Sequence, residues 1–258
     1  MSNKVSVLMF HALKKTNAPL VGADEHYAMD CNDYDSLIFR ILEQKIKIQS
    51  IRNIIDTVIN DDDKFVVFTF DDGHVSNYED AFQKLKDNNC SADFFINSAF
   101  VSDPGYMNWS QILDMHNSGM SIQSHGHHHY YFDELDKKTI IEELDTSKKT
   151  LEDKIGHEVT IFAPPGGRIT PEVKDIAFEL GYKVISTSRP GVWTVNTSLN
   201  DVPRLPVLDT SSVDRIMDWT NQEYNTINKV VAKYYITKVG KKILGNKAYD
   251  KLREIVLS

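Results

Sequence analysis

Two neighbouring carboxylates, Asp71 and Asp72, follow an apolar run and precede a glycine, in Thr69-Phe70-Asp71-Asp72-Gly73-His74. Such a pair opposes its own ionisation unless a cation sits between or beside the two groups. Some fifty positions later, four histidines fall within five residues, His125-Gly126-His127-His128-His129. A tract this rich in imidazole points to metal. His125 and His129 are four apart and can share one face of a helical turn. A third segment, Pro164-Pro165-Gly166-Gly167-Arg168, is too rigid and glycine-rich to start a helix, and its glycines let a ligand approach the backbone closely. One carboxylate and two imidazoles can hold a divalent ion and leave positions open. Such an ion brings the pKa of its water to about 7 in favourable sites. The other carboxylate can serve as general base, worth roughly 10²–10⁴ in rate. A backbone N–H aimed at the developing oxyanion adds about 3–4 kcal/mol. The chemistry these residues share is metal-assisted acyl hydrolysis.

Three loops can meet only if ordered elements bring them to one end of a sheet. Short β-branched runs read as strands at Val5–Phe10, Phe65–Phe70, Ala92–Ile96, Ser121–Gln123, Thr160–Ala163, Lys183–Ser186 and Val202–Val207. Helical spacing fills the gaps at Tyr34–Ile48, Tyr78–Asn88, Trp109–Ser118, Lys137–Ile155 and Pro171–Leu180. Thr170 is a ready N-cap for the last of these, with Pro171 at its first position and Gly181 beyond its end. Strands alternating with helices predict an α/β fold with a parallel sheet, either doubly wound or closed into a barrel. Both place ligands at the carboxyl ends of the strands, and all three candidate segments lie there.

Composition removes other classes. Of 258 residues, 41% are hydrophobic and 10% aromatic, enough for a core and too much for a disordered chain. The two cysteines, Cys31 and Cys90, do not make a disulfide scaffold. No apolar stretch approaches the roughly 18 residues of a spanning helix. A net charge of −8 argues against nucleic acid as a partner. The start, Met1 to Lys15, holds an apolar run without a cleavage site, so it reads as a buried strand and the expected compartment is the cytoplasm. From Lys229 to Ser258 eight basic residues meet two acidic ones, a local +6 that leaves −14 on the remainder. Thr226–Leu244 and Lys247–Leu257 read as two helices there. The expected division is therefore 1–224 as the barrel and 225–258 as a basic amphipathic extension packed on it. A peripheral contact of 225–258 with an anionic membrane, at its inner face, is the alternative for that segment.

The motifs TFDDG and HGHHH, in this order and followed by a Pro-Pro-Gly loop, resemble those of the polysaccharide deacetylases, the NodB-homology carbohydrate esterases. The resemblance covers about residues 5–207. It implies a distorted seven-stranded β/α barrel and hydrolysis of N-acetyl or O-acetyl groups, N-acetyl foremost, on a sugar or polysaccharide. It also implies one divalent metal ion, often zinc (Zn2+), and an acetylated carbohydrate as substrate. Carried over by motif, Asp71 is the general base, Asp72, His125 and His129 are the metal ligands, and Gly166 supplies the oxyanion N–H. Three departures follow. The family's Arg-x-Pro-x-Gly motif has Ala163 at its arginine position, so Arg168 or Arg189 is expected to return a guanidinium. The late Leu-x-His is replaced by Leu205-Pro206-Val207, so the proton donor falls to His11 or His74. The Asp-x-x-Asp-Trp motif is not evident. A glycan-binding barrel with weak or no turnover is the alternative that these departures favour. In the cytoplasm, a nucleotide-linked or lipid-linked acetylated sugar of surface-glycan biosynthesis fits better than mature wall polymer.

Overall fold

The computed structural model describes residues 4–15, 19–55, 63–195 and 199–244. The main sheet is built on β1 (Lys4–Phe10), β5 (Phe65–Phe70), β6 (Asp93–Ile96), β7 (Ser121–Ser124), β8 (Ile161–Phe162) and β9 (Val184–Ile185), hydrogen-bonded in that order and all parallel. An antiparallel strand, β10 (Val192–Thr194), lines the base of β1 and makes the seven-strand path mixed. The sheet curls into a half-barrel. Its open side is spanned by residues 202–206: Val202 pairs with Ser186, and β11 (Leu205–Pro206) pairs with Leu8 and Met9 of β1. Of the two arrangements the strand series left open, the fold is thus the curled one, a distorted α/β barrel as the family resemblance implies.

The seventh strand is shorter than its sequence predicts. Val202–Val207 reads as one strand, yet only Leu205–Pro206 and a single bridge at Val202 form. Pro203 and Pro206 lack the N–H groups that a longer ladder needs. Conversely, the helix expected to run to Ile48 is α1 (Cys31–Glu43) and stops early. Lys45 then takes a left-handed φ of 58°, and β4 (Lys47–Gln49) joins the base of β5. Ile46 and Ile48, two apart and both buried, fit a strand better than a helical stripe. Two further strands, β2 (Ala12–Lys14) and β3 (Ala28–Asp30), form a small parallel pair beside the mouth.

The helices cover the outside. α2 (Ile51–Ile55), α3 (Gln83–Asp87), α4 (Trp109–Asn117), α5 (Lys137–Ile155) and α6 (Pro171–Glu179) follow successive strands. A π-helical turn, Asn77–Phe82, leads into α3. α7 (Val213–Thr220) and α8 (Tyr224–Leu244) end the described chain, and the helix expected at Lys247–Leu257 lies outside the described residues. No helix among the described residues is long and apolar enough to cross a membrane.

Every residue of β5 is buried, as a parallel strand covered on both faces requires. Val66, Phe68 and Phe70 pack outward under the helices with Leu8, Phe10 and Phe94. Phe65 and Val67 face inward with Val7, Phe95 and Ile161. Trp193 of β10, 1% exposed, joins this inner cluster.

Asp93 is the anomaly in the inner layer. It is wholly buried, and its carboxylate accepts the Ile51 N–H at the start of α2 at 2.5 Å. Burial pushes its pKa up to about 7, against the pull of the Ile51 and Ser121 hydrogen bonds. The folded state therefore holds a proton that the unfolded chain releases near its ordinary value of 3.8. Stability from this group is complete below that value and is lost as pH rises towards 7. Asp93→Asn keeps an acceptor for Ile51 and removes the ionisation. Its stability relative to wild type, from urea unfolding, should rise between pH 4 and pH 8 by up to roughly 4 kcal/mol. A constant difference across that range would refute the buried-acid assignment.

Candidate metal centre and active site

The period of two along each strand sets the aim of the first residue beyond it. Phe65, Val67 and Thr69 face the interior, so Asp71 does too, and it is 2% exposed. On β7 the inward series Ser121, Gln123 continues to His125, also 2% exposed. The next carboxylate, Asp72, would point away by the same rule. A left-handed backbone at Asp72 (φ 72°), followed by Gly73 (φ 79°), breaks the alternation and keeps Asp72 at the mouth. His129 also adopts a left-handed φ, 59°. Such backbone is uncommon outside glycine and gathers at functional sites.

These turns bring Asp72, His125 and His129 together. Asp72 Oδ1 lies 3.3 Å from Nε2 of His125 and 3.3 Å from Nε2 of His129. One ligand atom from each of the three falls within 4.8 Å of the others. Asp72 Oδ1 is buried without a hydrogen-bond partner, although two imidazoles face it. His125 Nδ1 sits 2.7 Å from the Ala163 carbonyl, which can only accept, so Nδ1 carries the proton and Nε2 presents its lone pair in the neutral ring. This donor set, one carboxylate oxygen and two Nε2 atoms around an orphaned oxygen, suits a divalent cation.

The electrostatics agree. Burial raises the Asp72 carboxyl, but the two facing imidazoles and His11 outweigh it and hold the group well below the usual carboxylate range. Burial likewise disfavours the His125 imidazolium, yet Asp71 and Asp72 raise its pKa overall. In a site of this charge, a cation and the Nε2 proton compete for one lone pair.

Asp71 is held differently. Its two oxygens receive a forked pair from Arg204, Nη1 at 2.6 Å and Nη2 at 2.9 Å. Burial raises the Asp71 carboxyl, and the Arg204 guanidinium, with His125 and His11, brings it below its ordinary value. Arg204 is 0% exposed and also donates to the Thr187 carbonyl and Thr69 Oγ1. His125 Nε2 stands 4.0 Å from Asp71 Oδ2.

The guanidinium on Asp71 is thus neither of the two expected. Arg168 pairs with Glu134 at 2.8 Å and lies 3.9 Å over the Tyr131 ring. Arg189 pairs with Asp201. Both sit on loops whose nearest carboxylates take their charge, whereas Arg204 stands just before β11, which pairs with β1, and its side chain reaches Thr69 and Asp71 at the end of β5. The sequence carried a signal: one arginine within an otherwise apolar strand must find an anion if buried.

His11 and His74 separate on their hydrogen bonds. His74 Nε2 lies 2.9 Å from the Val21 carbonyl and Nδ1 2.8 Å from Ser76 Oγ, so both ring nitrogens are engaged in fastening a loop. Its expected part as proton donor finds no free nitrogen. His11 packs against Tyr27, and its Nδ1 is buried without a hydrogen-bond partner. Burial lowers its pKa, against the charges of Asp72 and Asp71. The Asn77 side chain, at the start of the π-turn, donates to the His11 carbonyl at 2.6 Å and fixes this position.

Gly166 has a φ of 61°, and a Cβ there would meet Tyr131 Cε1 at 2.8 Å. Its loop is closed by Gly167 donating to Pro164 and Arg168 donating to Pro165. Sequence reasoning also missed Glu143 of α5. This carboxylate, 4% exposed, accepts from the N–H groups of His127 and His128 and pairs with His128 Nδ1. It anchors the segment between His125 and His129, and His127 is taken up by Ser98.

Residues 59–185 match the family model for polysaccharide deacetylases. The sequence is 27% identical over 192 residues to YxkH of Bacillus subtilis (strain 168), which carries a polysaccharide deacetylase name; the match covers 73% of this chain and 66% of that protein. The fold is similar to that of the Streptococcus pyogenes deacetylase PplD in complex with acetate, with a TM-score of 0.77 and 21% identity over 85% of this chain and 99% of that one. It is also similar to the polysaccharide deacetylase BC0361 from Bacillus cereus, with a TM-score of 0.75 and 23% identity over 84% of this chain and 69% of that one.

Proposed function

We propose that this chain, which belongs to the polysaccharide deacetylase family, removes acetyl groups, most often from nitrogen, from a sugar or polysaccharide with the help of a divalent cation. The observation that carries this reading is the convergence of Asp72, His125 and His129 beside a separately held carboxylate, Asp71. Asp72, His125 and His129 would hold the cation. Bound there, it would supply Lewis acidity to the acetyl carbonyl and lower the pKa of a nearby water.

The remaining roles belong to the chain. Asp71 accepts the proton of the attacking water. Each of its oxygens keeps a second lone pair beyond the Arg204 fork, and its lowered pKa keeps it ionised. Arg204 fixes the carboxylate's position and is a positioning residue. The Gly166 N–H donates to the oxyanion that forms on the acetyl carbonyl. His11, next to both carboxylates and with a nitrogen unclaimed by the protein, protonates the departing nitrogen. Residues 1–224 form the catalytic unit in this reading, and 225–258 an extension to it.

The test is metal analysis of purified protein followed by acetate release from a panel of acetylated sugars. Wild-type protein should hold close to one equivalent of a divalent metal. Asp72→Ala and His125→Ala should hold little, and neither should release acetate. Bound metal without acetate release from any member of the panel would instead support a binding protein on the same barrel. Undiminished metal in both variants would dismiss the proposed ligands.

A further inference from the structure

A cavity lies beside the candidate metal centre. Its volume is about 690 Å³, and it runs between the Gly166–Ile169 loop and α8. None of Asp72, His125 and His129 lines it, but Gly166, Gly167 and Arg168 do. The Tyr131 ring joins the two spaces: it lies under Arg168 at 3.9 Å and 6.4 Å from the ring of His129. A group seated in the cavity is therefore one aromatic ring away from the candidate cation.

The cavity wall is strongly basic in a chain whose net charge is −8. Arg168, Arg215, Lys229, Lys233 and Lys238 line it, and Asp133 is the one carboxylate among its lining residues. Arg168 is paired with Glu134. Arg215, Lys229, Lys233 and Lys238 form no ion pair among the described residues. Like charges gathered on a concave wall repel one another, and an anion placed among them is attracted by all of them at once. The Thr226 and Thr237 hydroxyls donate to the Glu223 and Lys233 carbonyls of the chain itself, which leaves the ammonium and guanidinium groups as the donors facing the cavity, and Pro206 and Val230 supply apolar surface. The volume is within the roughly 300–1,000 Å³ of small-ligand sites. Guanidinium and ammonium groups gathered in this way match phosphate oxygens better than a neutral sugar.

We propose that this cavity binds the phosphate or diphosphate group of the substrate, so that the acetylated sugar bearing it reaches the cation site across Tyr131 and Gly166. The proposal rests on the deacetylase reading for the word substrate, and on the cavity alone for the phosphate site.

Calorimetry with inorganic pyrophosphate, on metal-free Asp72→Ala protein, tests the site without interference from the metal centre. Binding should weaken at least ten-fold in the added double variant Lys229→Ala, Lys233→Ala, two exposed positions, and should weaken with salt. In otherwise wild-type, metal-loaded protein the same double substitution should raise KM for N-acetylglucosamine 1-phosphate at least ten-fold. It should leave KM for unphosphorylated N-acetylglucosamine oligomers and turnover of a neutral aryl acetate unchanged. Equal pyrophosphate affinity with and without the two lysines would overturn the site. So would flotation with phosphatidylglycerol vesicles that needs both lysines while soluble pyrophosphate does not bind, since that would mark a membrane surface. Pyrophosphate binding that needs the lysines in a protein releasing no acetate would leave the phosphate site standing and remove the deacetylase reading.

Discussion

Arg204→Met should lower the stability of the fold by about 3–5 kcal/mol and abolish acetate release together. Both effects follow from one geometry. Asp71 is almost fully buried, and the Arg204 fork is the only cationic pair within 3 Å of its oxygens among the described residues. Methionine matches the arginine stem in volume but leaves a carboxylate without its counter-charge in a dry interior. That carboxylate then takes a proton more readily, which removes the base. Urea unfolding measures the first effect and acetate release the second. The double variant Arg204→Met, Asp71→Asn separates them, since no charge is left stranded: much of the stability should return, and the activity should not. Arg204→Lys should recover neither fully, because an ammonium cannot span both oxygens. A single Arg204→Met protein as stable and active as wild type would mean that the fork is incidental.

Asp71→Asn should retain the metal and lose roughly 10²–10⁴ in turnover. The amide is close to isosteric, keeps one acceptor for Arg204, and cannot take a proton from water. Because Asp72, not Asp71, faces both Nε2 atoms at 3.3 Å, metal content should be nearly unchanged. The contrast with Asp72→Ala is what assigns the two adjacent carboxylates. His11→Ala belongs to the same comparison: turnover should fall with the metal retained. His74→Ala, whose ring nitrogens are both tied to Val21 and Ser76, should act on stability instead. Full activity in Asp71→Asn, or metal loss equal to that of Asp72→Ala, would reverse the assignment.

Much of the barrel was legible because β-branched runs buried on both faces are short, apolar and bounded by turn residues. Lys137–Ile155 appears with the same ends in sequence and structure, since Asp136 caps one end and left-handed Gly156 closes the other. The less regular parts escaped. Lys47–Gln49 continued a helical stripe in sequence, and only β5 beside it made it a strand. β10 and β2 are three-residue strands with little periodicity to detect.

For the site, the residue types and their order already pointed to the proposed chemistry. Two carboxylates, two imidazoles four apart and a glycine-rich loop, each just beyond an apolar run, determined that these groups would stand at the carboxyl end of a parallel sheet. Alternation along β5 and β7 even fixed which side Asp71 and His125 face. Tertiary structure alone decided the partners: Arg204 rather than Arg168 on Asp71, Glu143 under the histidine loop, and a basic wall of α8 beside Gly166. In a barrel, residues that meet across the mouth can be brought in from far along the chain, 133 residues away for the Asp71–Arg204 pair. Local sequence constrains backbone and facing direction, but such a pairing depends on the register of strands that never meet along the chain.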